Sequence, residues 1–199
     1  MSRHTLLRSR VTAFVVLALV TSCWAQRGVL TAPRNLTQLT DSAATIVRGR
    51  IITARVEPHP SYPHLSTVVV IMRAEEVIRG APESIFTFRQ FVFDIRDRRT
   101  AAGYRKGDEY LLLMNTPNKL GLTSPVGLEQ GRFRIIRSSD GKAFAVNGHG
   151  NRGLFQGIAS EPRFKSMPEP LAAIASQHQG VAIELDDLRA MIRQLSVHP

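Results

Sequence analysis

The most pronounced chemical pattern in the chain is a set of arginines at alternate positions. Arg48 and Arg50 are separated by one residue within a β-branched run, and Arg132 and Arg134 are spaced the same way in a later run. Alternate residues of a strand share a face, so each pair is expected to present two cations on one side. A further group, Arg96, Arg98, Arg99, Arg105 and Lys106, crowds the charged stretch between Asp94 and Gly107. If the strand faces adjoin that stretch, these residues form a patch for a polyanion such as nucleic acid or envelope polysaccharide. Such a patch would work by neutralising phosphates and by stacking on aromatics. Tyr62 and Tyr104 fall in segments that read as loops and are the aromatics expected to be free to stack. The simpler expectation is that these arginines are solvated charges on an outer sheet face.

Other chemistry is sparse. Gly148-His149-Gly150-Asn151-Arg152-Gly153 has the spacing of a dinucleotide-binding glycine loop and follows a strand-like run. That motif needs a helix opening on the loop and an acidic residue after a second strand. Pro162 arrives too soon and the acid is missing, so the segment reads as a plain loop. His59 and His64 share a proline-rich segment but lack a third ligand at metal-site spacing, and read as exposed loop histidines. The adjacent Glu75 and Glu76 are expected to point to opposite faces of a strand. No Gly-x-Ser-x-Gly elbow occurs. The sequence therefore offers no catalytic residue, cofactor site or metal site, and the chain reads as non-enzymatic.

The elements that must carry these residues follow from periodicity. Leu36, Leu39 and Ala43 recur at helical spacing after Pro33. Thr45 to Arg55 reads as a strand, Val56 to Ser66 as a loop, and Thr67 to Ile78 as a long second strand ended by Gly80-Ala81-Pro82. Ser84 to Phe93 reads as a third strand, with Phe86 and Phe88 on one face and Ile85, Phe91 and Phe93 on the other. Asp94 to Gly107 is expected to be a charged loop, and Glu109 to Met114 a short apolar strand. Gly131 to Arg137 and Lys142 to Val146 flank Asp140-Gly141, a hairpin signal because that turn needs positive φ. Residues 148–180, rich in Gly, Pro, Ser and Gln, read as a linker with one helical turn near Leu171 to Ala175. Within 181–197, Ile183, Leu185, Leu188, Met191, Ile192 and Leu195 form an apolar stripe led by Asp186 and Asp187, an amphipathic helix that docks on the rest. The sum is a mainly β domain over 33–147, a small antiparallel OB-like barrel of five to six strands, with a short N-terminal helix and a C-terminal helix.

The first residues bear on compartment. Arg3, Arg8 and Arg10 precede the apolar run Val11 to Val20, the order of a secretory signal peptide. The run is shorter than the roughly 20 residues that cross a bilayer, and no later segment is longer, so no transmembrane helix is expected in the mature chain. Two cleavage readings stand side by side. Leu19-Val20-Thr21-Ser22-Cys23 has the form of a lipobox, which removes residues 1–22 and acylates Cys23. Alternatively, cleavage after Ala25 removes residues 1–25. An acylated Cys23 would hold the protein on the membrane, since each buried methylene contributes about 0.8 kcal/mol. Cys23 is the sole cysteine, so no internal disulfide can form. The 26 basic and 16 acidic residues give a formal charge of +10. Loss of three leader arginines leaves the chain strongly cationic, a property that favours anionic surfaces and says nothing about fold.

The strings Ala44-Thr45-Ile46-Val47-Arg48-Gly49-Arg50, Thr67-Val68-Val69-Val70 and Glu76-Val77-Ile78-Arg79-Gly80 resemble the opening of a group of uncharacterised secreted bacterial proteins. Gly107-Asp108-Glu109-Tyr110-Leu111-Leu112-Leu113 and Gly127-Leu128-Glu129-Gln130-Gly131-Arg132-Phe133-Arg134-Ile135 resemble later strands of that group, and Leu185-Asp186-Asp187-Leu188-Arg189 its closing helix. The strand order is also similar to the OB-type barrel of netrin-like and metalloprotease-inhibitor domains. The resemblance implies a barrel and an extracytoplasmic location, periplasmic, secreted or lipid-anchored, and transfers no catalytic residue. The expected function is a non-catalytic binding module of the cell envelope, partnered by a protein or a polyanion. A protease-inhibitor-like barrel and a polyanion-binding OB module stand as alternatives.

Overall fold

A computed structural model describes residues 31–178 and 180–197, so Cys23 and the leader lie outside the described residues. Seven strands form one antiparallel sheet in the order β3-β2-β1-β4-β5-β6-β7. They are β1 (Thr45–His59), β2 (Tyr62–Arg79), β3 (Ile85–Phe91), β4 (Glu109–Met114), β5 (Arg132–Arg137), β6 (Ala143–Asn147) and β7 (Ile183–Glu184). Five helices accompany them among the described residues: α1 (Leu36–Ser42), α2 (Ile95–Thr100), α3 (Pro162–Lys165), α4 (Glu169–Gln177) and α5 (Leu185–Val197). None is long and apolar enough to cross a membrane.

The sheet is open, in contrast to the expected closed barrel of five to six strands. Closure needs a ladder between β3 and the far side of the sheet. Among the described residues only a single parallel bridge, between Arg89 and Leu122, reaches across, with Thr123 N donating to Arg89 O at 2.8 Å. Residues 115–131 hold Pro117, Pro125, Gly121, Gly127 and Gly131, a composition that favours turns over ladder pairing. Beyond β5 the sheet continues into β6 and β7 instead.

The long β1–β2 hairpin also departs from expectation. The presumed loop between residues 56 and 66 is the paired end of this hairpin, with His59 opposite Tyr62. Its prolines misled because β1 pairs with β4 only as far as Arg50 and Glu109. Past that point β1 has one free edge, where a missing N–H is tolerated. At Gly49 the two long strands crowd together: a Cβ there would sit 2.1 Å from Arg73 O. The register slips between Arg48 and Gly49 at the same place, a bulge that bends the pair.

The two faces of the sheet carry two cores. On one, α1, α4 and α5 pack over Ile46, Leu111, Leu113, Phe133 and Ala145. On the other, Val47, Val68, Val70, Met72, Phe88, Tyr110 and Leu112 curl around Tyr104 and Ala102. Every residue of β4 is buried, because its alternate side chains serve both cores. Helix α1 starts on a capping box: Gln38 N donates to Asn35 Oδ1 and Asn35 N to Gln38 Oε1, each at 3.0 Å. The stripe Leu185, Leu188, Met191, Ile192 and Leu195 of α5 is buried as its spacing requires.

Two segments that read as loops are structured. Residues 94–107 contain α2, capped by Asp94, whose carboxylate accepts from Arg96 N and Asp97 N. Residues 148–180 contain α3, α4 and the 3-10 turn Ile158–Ser160, and they contribute Leu154, Ile158, Phe164, Met167 and Ala175 to the first core. Asn151 pins this segment. It is fully buried at φ 60, accepts from Asn147 N at 2.9 Å, and donates to Ala145 O at 3.0 Å and Val181 O at 2.9 Å. Asn tolerates this left-handed geometry better than most residues. The glycine-loop motif is therefore a scaffold turn.

Candidate functional site

The sheet separates the two arginine pairs expected to share a patch. Arg48 and Arg50 lie on the helix-covered face with Ile46, whereas Arg132 and Arg134 alternate with the core residues Phe133 and Ile135 and so occupy the opposite face.

On the helix side Arg48 is the centre of an ionic network. It contacts Glu75 at 2.9 Å, Glu76 at 3.2 Å, and Glu109. Glu75 and Glu76 reach the same arginine because the bulge at Gly49 places Glu75 as the extra residue, so the expected opposite orientation is lost. Glu109, with a side chain 4% exposed, also binds Arg50 at 3.2 Å and Arg137 at 2.9 Å. Glu76 takes Arg189 of α5 at 2.7 Å, and Arg193 as well. Burial pushes both carboxyls up, but the hydrogen bonds from Arg137 and Arg48 hold Glu109 below the usual carboxylate range, and those from Arg189 and Arg48 do the same for Glu76. The network ties α5 to the sheet and gives each of its arginines a carboxylate partner, although the arginines outnumber the acids.

On the opposite face Arg132 grips both oxygens of Glu129 and lies 4.7 Å from the Tyr104 ring centroid. Burial lowers the affinity of Arg132 for its proton, and Tyr104 and Glu129 more than restore it. Tyr104 itself is buried and its hydroxyl is pushed far above its ordinary value by that burial, so it is a core residue and no stacking platform. Arg134 pairs with Asp108 at 3.3 Å. His59 is buried as well: Ser61 N donates to Nδ1, which leaves Nε2 to donate to Leu120 O at 2.9 Å. Among the described residues no group of three or more His, Cys, Asp or Glu side chains could hold a metal ion.

Of the cations expected to form the patch, the exposed ones without strong partners lie in segment 91–106, around the buried Ala102 and Tyr104. Arg98, Arg99, Arg105 and Lys106 have no ion-pair or hydrogen-bond partner for their side chains among the described residues, while Arg96 pairs weakly with Asp94 at 3.7 Å. The same segment exposes Phe91, Phe93 and Ile95, the last 68% exposed, with the two phenyl rings edge to face at 5.4 Å. These three apolar residues are absent from any reading of the chain by charge alone. A signal was available in Asp94 and Asp97, whose spacing starts a short helix and turns Phe93 and Ile95 outward; Asp97 accepts from Phe93 N at 3.0 Å.

The fold and the surface together define an open antiparallel sheet, helix-covered on one face, with a cationic and aromatic projection beside its edge strand. Comparison with known proteins finds no matching family model, curated protein or solved structure.

Proposed function

We propose that the chain is an exported, non-catalytic binding module of the bacterial envelope that docks on anionic lipid surfaces through residues 91–106. The observation that carries this reading is the combination of four unpaired cations with three exposed apolar side chains in that one segment. Aromatic and aliphatic groups flanked by cations settle at the headgroup boundary of a membrane. Each Lys or Arg near an anionic surface contributes about 1 kcal/mol, so Arg98, Arg99, Arg105 and Lys106 supply about 4 kcal/mol at low salt. An acyl chain on Cys23 would be the second attachment, since stable anchoring generally takes two. The order β3-β2-β1-β4-β5 supports reading the first five strands as an OB-type barrel left open between β3 and β5, in keeping with the partly open form of that fold.

The test is cosedimentation with phosphatidylglycerol and with phosphatidylcholine vesicles across a salt series. Binding to the anionic vesicles is expected to exceed binding to the zwitterionic ones, to fall with salt, and to drop sharply in R98A/R99A/R105A/K106A. Equal binding to both vesicle types would remove the basis of the proposal. A lipid anchor affects the two vesicle types alike, so the difference isolates the segment.

A further inference from the structure

Residues that read as linker enclose an open cleft of about 530 Å³. Its floor is apolar, formed by Leu154, Phe164 and Ala175, all buried. One wall is the edge-to-face pair of Phe155 and His178, whose rings are 5.1 Å apart at 81°. His178 Nε2 is shielded from solvent and has no hydrogen-bond partner among the described residues. A buried ring nitrogen without a partner is uncommon in folded proteins. Burial also holds His178 below the ordinary histidine range, which keeps the ring neutral at pH 7. At the rim Arg152 is exposed and its side chain has no partner among the described residues. Its stem lies against Gly180, where a Cβ would come within 3.0 Å of Arg152 Cγ. Gly180, at φ 74, leaves room for the Arg152 stem against its backbone, and Arg152 is among the residues lining the cleft.

We infer that this cleft binds a small amphipathic carboxylate, its apolar body on the Leu154–Phe164–Ala175 floor beside the His178 ring, and its carboxylate on Arg152. The complementarity is specific. Leu154, Phe164 and Ala175 give an apolar surface for the ligand body although Asn151, Gln156 and Ser176 also line the cleft, and the guanidinium fork matches a planar carboxylate in bidentate fashion. The site is independent of the cationic segment 91–106, so one can fail without the other.

The test uses the full chain, with 4-phenylbutanoate and octanoate as probes and their primary amides as uncharged controls. Binding is followed by calorimetry and by the His178 ring resonances in NMR. Saturable binding of the acids is expected within roughly 10 mM, the range for ligands of this size. The amides and the R152A variant should bind about tenfold more weakly, since each loses the charge-assisted pair at an exposed guanidinium. A175F should fill the floor and abolish binding, with a melting curve to confirm that it folds. Equal binding of acids and amides would overturn the inference, as would the absence of any saturable shift at His178. The acid-against-amide comparison needs no variant, so it decides the matter even if A175F is unstable.

Discussion

Replacement of Asn151 by alanine should be among the most damaging single changes in the chain. The side chain has no exposed surface and satisfies three backbone groups: Asn147 N, Ala145 O and Val181 O. Removing it leaves two buried polar groups and one part-buried one without that partner, at about 1–3 kcal/mol each when fully buried. Some water can enter where the segment meets solvent, so about 1 kcal/mol per group is the appropriate figure. Alanine at φ 60 adds about 1 kcal/mol of left-handed strain that asparagine largely avoids. The expected loss is about 4 kcal/mol, a large share of the typical 5–15 kcal/mol of a folded domain. Urea unfolding followed by far-UV circular dichroism measures it directly. N151G removes the hydrogen bonds but accepts the backbone angle, so it should recover about 1 kcal/mol relative to N151A. A loss under about 1 kcal/mol for N151A, or an N151G variant less stable than N151A, would refute the reasoning.

Further outcomes follow from other sites. Glu109 and Glu76 have carboxyl pKa values below the ordinary range in the folded chain; their stabilisation is therefore complete above the unfolded value and is lost as pH falls through the folded one, so the melting temperature should decline below roughly pH 5. E109Q should destabilise by about 2 kcal/mol at pH 7, a value discounted because Arg50 and Arg137 are about half exposed, and should flatten that decline. Ala101, at φ 49 and ψ 49, carries left-handed strain that A101G would relieve, with an expected gain of about 0.5–1 kcal/mol read as a higher melting temperature. F93S should weaken binding to anionic vesicles without altering its salt dependence, because the ring contributes burial and no charge. Intact mass of the protein from its native host should give either an acylated Cys23 or a chain beginning at Gln26; the unprocessed mass would contradict export.

Periodicity made the regular parts of this fold legible. The spacing of Leu36 and Leu39, the stripe from Leu185 to Leu195, the run Glu109 to Met114 and the Asp140-Gly141 turn all mark elements that form where expected. Features decided by tertiary context were not legible. Pro58 resembles a strand terminator until the partner strand on its other side is seen to stop at Glu109. Residues 148–180 have a loop composition, and what makes them structural is Asn151, whose three partners are distant in the chain or masked as ordinary backbone. The bulge at Gly49 turns Glu75 and Glu76 toward one arginine, which strict alternation cannot foresee. Among the candidate cations, charge alone could not distinguish Arg48 and Arg132, which are paired, from Arg98 and Lys106, which are not.

The doubly buried β4 has a consequence for how the molecule comes apart. Leu111 and Leu113 belong to the layer under the helices, while Tyr110, Leu112 and Met114 belong to the curled side. Neither layer can melt while the other persists, because both depend on the same six residues. Unfolding should therefore be a single cooperative event, and deletion of α5 should abolish protection from amide exchange on the far side of the sheet as thoroughly as on its own.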